Sequence, residues 1–234
     1  MTGPSPLRLI TWSRRHLAVV QPMGRLDLST HHRLLDGLLK VAAEEPGALV
    51  VNLARLEVGP AHGVGLFYRV WQRVNEWPGI PMALVAPEPE LREVLLRGVL
   101  PKVMPVCATL AEAVRVCRAP PAVRQREVHL PGGDISALRA RLFVTDACLD
   151  WGWHEVLGDA LLIVDELVAG AVAEGSPEVW VRVRLRENRL SLSVRDRVPG
   201  TTPPAPPAVG QLALSHGRTP SAGGKICWAV LGLA

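Results

Sequence analysis

Long apolar runs are missing from this 234-residue chain. No stretch approaches the ~20 consecutive apolar residues that a membrane span requires, so no transmembrane helix is expected. Residues Met1 to Arg8 contain no apolar core followed by a small-residue cleavage site, so a secretory signal is not expected and the expected address is the cytoplasm. Lysine is scarce, only three among 26 basic residues, and the arginines are spread along the chain. A formal charge of +4 without a basic run interleaved with aromatic residues argues against a nucleic-acid partner. Cys107, Cys117, Cys148 and Cys227 lie far apart and never form the close pair typical of a zinc site. They read as small hydrophobes kept as thiols, and no metal site is expected.

The chain contains two successive patterns. Short apolar runs at Leu17 to Val20, Ala48 to Leu53 and Met82 to Ala86 fit buried strands, with Val106 and Cys107 as a last short one. Between them lie segments of helical spacing: His32 to Glu45, capped by Ser29 or Thr30, then Gly63 to Glu76, Leu91 to Val99 and Leu110 to Arg118. Strand and helix in alternation predict an α/β domain over residues 1–120. Ala119 to Arg126, with two prolines and scattered charges, reads as a linker.

The second pattern, over residues 121–234, opens with helical spacing and continues with strands. Helices are expected over Ser136 to Asp150 and His154 to Glu174. Val179, Val181, Val183 and Leu185 alternate with Trp180, Arg182, Arg184 and Arg186, turn at Glu187 and Asn188, and return through Leu190, Leu192 and Val194: a hairpin with one buried face. Pro199 to Pro207 is too proline-rich for anything but loop, and Lys225 to Leu231 reads as a final strand.

Residues Gly24 to Thr30 match the opening "G-x-L-D-x-x-T" turn of a known family, Asn52 to Leu66 its central strand, loop and helix, and Thr109 to Val114 its last helix. On these residues the first half resembles a STAS domain, the fold of bacterial anti-sigma factor antagonists. The resemblance implies a partner-binding loop comprising Asp27, Pro60, Ala61, His62 and Gly63. In that family the loop reads Asp-Ser-Ser-Gly, and a serine is phosphorylated by a partner kinase. Here Pro60, Ala61, His62 and Gly63 stand in those places, so no hydroxyl is present to form the phosphoester, and Asn52 replaces a common aspartate. His62 is read as a solvated loop residue rather than a phosphohistidine.

The second half resembles the histidine-kinase-like ATPase domain of bacterial anti-sigma serine kinases, an α+β sandwich. Glu166 to Glu174 align with that family's "E-L-V-x-N-A-x-x-H", Asp196 with its adenine-recognising aspartate, and Gly223 to Trp228 with its last strand "G-G-K-T-x-W". The nucleotide-binding remnants are Glu166, Gly170, Asp196, Gly200, Gly210 and Lys225. The resemblance gives Mg²⁺ an asparagine oxygen where Gly170 has no side chain. Its "D-x-G-x-G" has become Asp196 to Gly200, with Val198 in place of a glycine. Its "G-x-G-L" aligns with Val209, Gly210, Gln211 and Leu212, and Ile226 replaces the threonine that assists the aspartate.

The expectation is therefore a non-catalytic regulatory protein of bacterial sigma-factor partner switching, with no cofactor. The alternative is a divergent ATP-dependent serine kinase fused to its antagonist, and a weaker third is a DNA-associated regulator. The expected partner is an anti-sigma kinase or sigma-regulator-like protein. A homodimer and docking of one half on the other are further possibilities; neither nucleic acid nor membrane is expected.

Overall fold

The computed structural model describes residues 7–14, 16–58, 63–117, 123–198, 207–221 and 223–232. The chain divides into two compact units, Met1–Pro120 and Pro121–Ala234.

The first unit is a sheet of strands β1 (Arg8–Arg14), β2 (Leu17–Leu26), β3 (Ala48–Asn52), β5 (Met82–Val85) and β6 (Val106–Cys107), in that spatial order, with β4 (Arg55–Val58) continuing along the end of β2. Only the β1–β2 pair is antiparallel; the other pairs are parallel. Leu17–Val20 of β2 and strands β3 and β5 are buried on both faces, which is why the sequence shows unbroken apolar runs there rather than alternation. Ala18, Val20, Leu49, Val51 and Leu84 meet the inner faces of α1 (His31–Ala42) and α2 (Gly63–Glu76). Leu17, Val19, Val50, Ala83 and Val85 meet Ala113 and Val114 of α5 (Leu110–Val116) on the other face. Each fully buried Val or Leu contributes about 1.5–3 kcal/mol to this packing. The Thr109 hydroxyl accepts from the Glu112 amide at 3.2 Å while the Glu112 carboxylate accepts from Ala108 N–H at 3.0 Å, which fixes the start of α5.

The helix expected over Leu91 to Val99 is α3 (Pro89–Leu96), which starts and ends earlier, and a further short helix, α4 (Leu100–Val103), follows it; each has a proline in its first turn. The Thr30 and Ser29 hydroxyls, expected to cap α1, do not cap it. They are drawn into a turn around Asp27.

The second unit is an antiparallel sheet in the order β10 (Ser215–Ser221), β11 (Gly224–Gly232), β9 (Arg189–Asp196), β8 (Glu178–Arg186), β7 (Val123–Pro131). One face packs on α6 (Ile135–Trp151) and α7 (Leu157–Ala173), with Val181, Val183, Leu192, Val194 and Ala229 against Val144, Ile163, Val164 and Val168. Gly152 and Gly175 end the two helices with positive φ, 76° and 82°, a conformation a Cβ would strain. The expected linker is corrected at its second half: Val123 to Arg126 already belong to β7, paired with Val183 to Arg186. An edge strand with few apolar residues carries no periodic signal. Residues 199–206 of the expected proline-rich loop lie outside the described residues, while Pro207 opens the short helix α8 (Pro207–Leu212), where its missing N–H costs nothing.

Candidate functional site

In the first unit two chain segments leave the sheet from paired positions. Leu26 at the end of β2 is in register with Val58 at the end of β4, so the two strands end side by side, β2 at the Asp27 turn. Pro60, Ala61 and His62 lie outside the described residues; Gly63 is the first residue of α2.

The Asp27 turn is tightly built. Its carboxylate accepts from the Ser29 hydroxyl at 2.6 Å, the Ser29 amide at 2.9 Å and the Thr30 amide at 3.1 Å. The Thr30 hydroxyl accepts from the Asp27 amide and donates to the Arg25 carbonyl, both at 2.9 Å. The hydrogen bond from the Ser29 hydroxyl, which together with the two backbone amides and the Thr30 hydroxyl outweighs desolvation, holds the Asp27 carboxyl below the ordinary carboxylate range. Asn52, at the end of β3, accepts from the Ala54 amide at 3.2 Å, a turn-forming contact. The turn thrusts Leu28 outward, 75% exposed and the most exposed large apolar side chain among the described residues. Sequence reasoning did not single it out, since Leu28 falls at an unspecified position of the turn motif.

In the second unit the expected nucleotide-site residues are only partly gathered. Glu166 and Gly170 lie exposed on α7, and Gly210 is exposed on α8. Gly200 lies outside the described residues. Asp196 and Lys225 are opposite each other on β9 and β11, both on the helix-facing side, and both are buried. The Lys225 ammonium lies 2.9 Å from the Asp196 carboxylate and forms a second ion pair with Glu174, the residue that ends α7. Burial alone would lower the Lys225 pKa, but hydrogen bonds to Glu174 and Asp196 outweigh it and hold it above the usual lysine value.

Glu174 completes this cluster and was not singled out from sequence. The available signal was an acidic residue replacing the family's histidine at the end of the long helix, in a chain with almost no other lysine.

The register also corrects the reading of Ile226. Adjacent strand residues point to opposite faces, and Ile226 pairs with Arg195, so it is Lys225 and not Ile226 that faces Asp196. The Val198 amide donates to Asp196 Oδ1 at 3.0 Å. Val209, where the resemblance has a phosphate-facing glycine, is fully buried in the helix-side core.

Two glycines show opposite constraints. A Cβ at Gly224 would lie 2.0 Å from the Asp196 carbonyl oxygen, so only glycine lets β11 approach the end of β9. A Cβ at Gly170 would meet nothing within 4 Å. The missing asparagine is therefore not forced by packing.

Residues 11–113 match the family model of the STAS domain. The first unit carries a STAS domain. Known structures similar to this chain include an anti-sigma factor antagonist from Mycobacterium paratuberculosis, 23% identical over 51% of this chain and 100% of that one, TM-score 0.42. The RsbU and RsbW domains of Rv1364c from Mycobacterium tuberculosis are 19% identical over 49% of this chain and 33% of that one, TM-score 0.41. The anti-sigma factor antagonist SpoIIAA in its unphosphorylated form is 23% identical over 48% of this chain and 96% of that one, TM-score 0.38. No curated protein sequence matches. The STAS assignment rests on the family model. Among the described residues, no helix is long and apolar enough to cross a membrane.

Proposed function

We propose that this chain is a non-catalytic, protein-binding regulator of the partner-switching type. Its STAS domain lacks the phosphoacceptor serine that the resemblance assigns to the partner loop, and its second unit is a histidine-kinase-like ATPase fold that has lost nucleotide chemistry. The observation that carries this reading is the Lys225 ammonium held between Asp196 and Glu174. The carboxylate that the resemblance assigns to adenine is engaged by Lys225, and Glu174, standing where the resemblance has a histidine, holds that lysine in place, so a base amino group would have to displace the pairing.

Further support comes from Gly170, which offers Mg²⁺ no oxygen, and from Val209, which fills a place the resemblance keeps open for phosphate. The residues present do not fit a Mg²⁺-bound nucleotide. In the STAS domain, Pro60, Ala61 and His62 supply no hydroxyl, and the partner the reading calls for is a kinase-like surface of the anti-sigma type. Calorimetry of the intact chain with ATP and Mg²⁺ tests it. No heat of binding is expected; a dissociation constant in the low micromolar range would favour a working serine kinase instead.

A further inference from the structure

Among the described residues, strand β1 pairs with β2 alone, in seven consecutive one-to-one pairs from Arg8 opposite Met23 to Arg14 opposite Leu17. In an antiparallel ladder, opposed residues alternate between those that exchange hydrogen bonds with the partner and those whose N–H and C=O groups point away from it. Pro22 has no N–H to exchange, so Leu9 opposite it is of the second kind, and Thr11 and Ser13 share its direction. The backbone groups of Leu9, Thr11 and Ser13 therefore point along the outer edge of a strand about 23 Å long.

Both faces of this strand are anchored. Leu9 packs on the α1–α2 side and closes on Gly37 of α1, where a Cβ would lie 2.1 Å from its Cδ1, while Trp12 packs on the α5 side. Arg8, Ile10, Thr11 and Ser13 are exposed, Ile10 to 47%. The usual protections of an edge are missing here. In the second sheet, edge strands β7 and β10 carry Pro131 and Pro220, and β6, the other edge of the first sheet, has only two residues. Strand β1 has neither a proline nor a bulge.

The charge of the β1–β2 hairpin selects the occupant. Residues 8–26 contain four arginines, Arg8, Arg14, Arg15 and Arg25, and no carboxylate. A second copy laid antiparallel in the register that uses the whole strand would set Arg8 opposite Arg14 at both ends, and like charges directly opposite destabilise a strand pair. An extended segment with a carboxylate near each end meets both arginines with their opposite.

We propose that β1 is a docking edge for an extended acidic segment of a protein partner, which joins the sheet as an added strand through the backbone of Leu9, Thr11 and Ser13. This docking is independent of the loop at Pro60 to His62 and of the nucleotide reading of the second unit.

Fluorescence anisotropy of the intact chain with a labelled, end-blocked heptapeptide, valine alternating with threonine between two terminal glutamates, tests it. A dissociation constant of about 100 μM or tighter is expected, roughly tenfold tighter than for the same peptide ending in lysines. Thr11→Pro removes an outward N–H that β2 does not use, so circular dichroism and the thermal midpoint should stay near those of the parent while binding falls at least about tenfold. Arg8→Glu should weaken the glutamate peptide about tenfold and strengthen the lysine peptide, a comparison that stands even where Thr11→Pro fails to fold. Absence of binding at about 1 mM, equal binding of the two peptides, or unchanged affinity in a folded Thr11→Pro or in Arg8→Glu overturns the proposal. Self-association of the intact chain that Thr11→Pro abolishes would overturn it in favour of a second copy.

Discussion

Lys225 and Asp196 are cross-strand neighbours whose charged groups lie 2.9 Å apart with almost no access to solvent. Removing one member of such a pair strands the other in a low-dielectric interior. Lys225→Met is therefore expected to cost about 3–5 kcal/mol of stability, and the double variant Lys225→Met/Asp196→Asn to recover a large part of that loss. Denaturant titration of the three proteins checks it. Equal destabilisation by the single and double variants would show that the ammonium is held mainly by Glu174.

Glycine 170 and glycine 224 should respond to the same substitution with opposite sign. Gly170→Ala adds a Cβ into open space within α7 and relieves the helix of a poor former, so it should stabilise by about 0.5–1 kcal/mol. Gly224→Ala drives a Cβ against the Asp196 backbone and should destabilise by about 3 kcal/mol. Thermal melts of both variants are sufficient. A neutral Gly224→Ala would mean that β11 shifts away from β9 without penalty.

Cys117 and Cys148 should be silent toward thiol reagents at neutral pH. Burial pushes both thiols up to about 11, so the folded state keeps them protonated where an unfolded thiol, at 9.0, ionises. They should react only on unfolding, at the unfolding rate, which absorbance with a chromogenic disulfide measures.

Alkaline pH should weaken the fold for the same reason. An acid whose folded pKa lies above its unfolded value stabilises fully below the unfolded value and ceases to do so as pH rises through the folded one. For the two thiols that window runs from 9.0 to about 11. For Lys225 it opens at 10.5 and extends above it. Denaturation midpoints should thus hold steady to pH 9 and fall beyond it, and Cys117→Ser/Cys148→Ser, corrected for its own baseline loss, should show a shallower fall just above pH 9.

An acidic residue in the partner loop should reproduce a permanent repulsion. Ala61→Asp in the intact chain is expected to weaken binding to an anti-sigma kinase by at least about tenfold. Titration against an immobilised kinase is the readout. Equal binding by both forms would place the contact elsewhere on the STAS domain.

What could be read from the sequence was set by burial. Strands β2, β3 and β5 and the β8–β9 hairpin announce themselves through apolar runs or alternation because their side chains fill a core. Strands β1, β7 and β10 do not, since they lie at sheet edges and Arg8–Arg14, Val123–Pro131 and Ser215–Ser221 keep many polar side chains in solvent. At the site, Asp196 and Lys225 were both identifiable, but their mutual satisfaction was not, because it depends on a register that pairs residue 225 rather than 226 with residue 196. Glu174 reaches them only because α7 ends where β9 ends and β11 begins.

Among the described residues, strand β7 pairs with β8 alone, and a sheet edge of this kind often invites a further strand to add. Here that border is guarded. Arg126 is held by Asp150, Glu127 by Arg182, and Arg124, Gln125 and His129 stand in solvent along the same strand, with Pro131 at its end. An incoming strand would have to break these ion pairs and lie along a row of mixed charge, a barrier to edge-to-edge growth into fibrils. The charged border therefore closes strand-to-strand addition at β7 as a route by which copies of this chain could join.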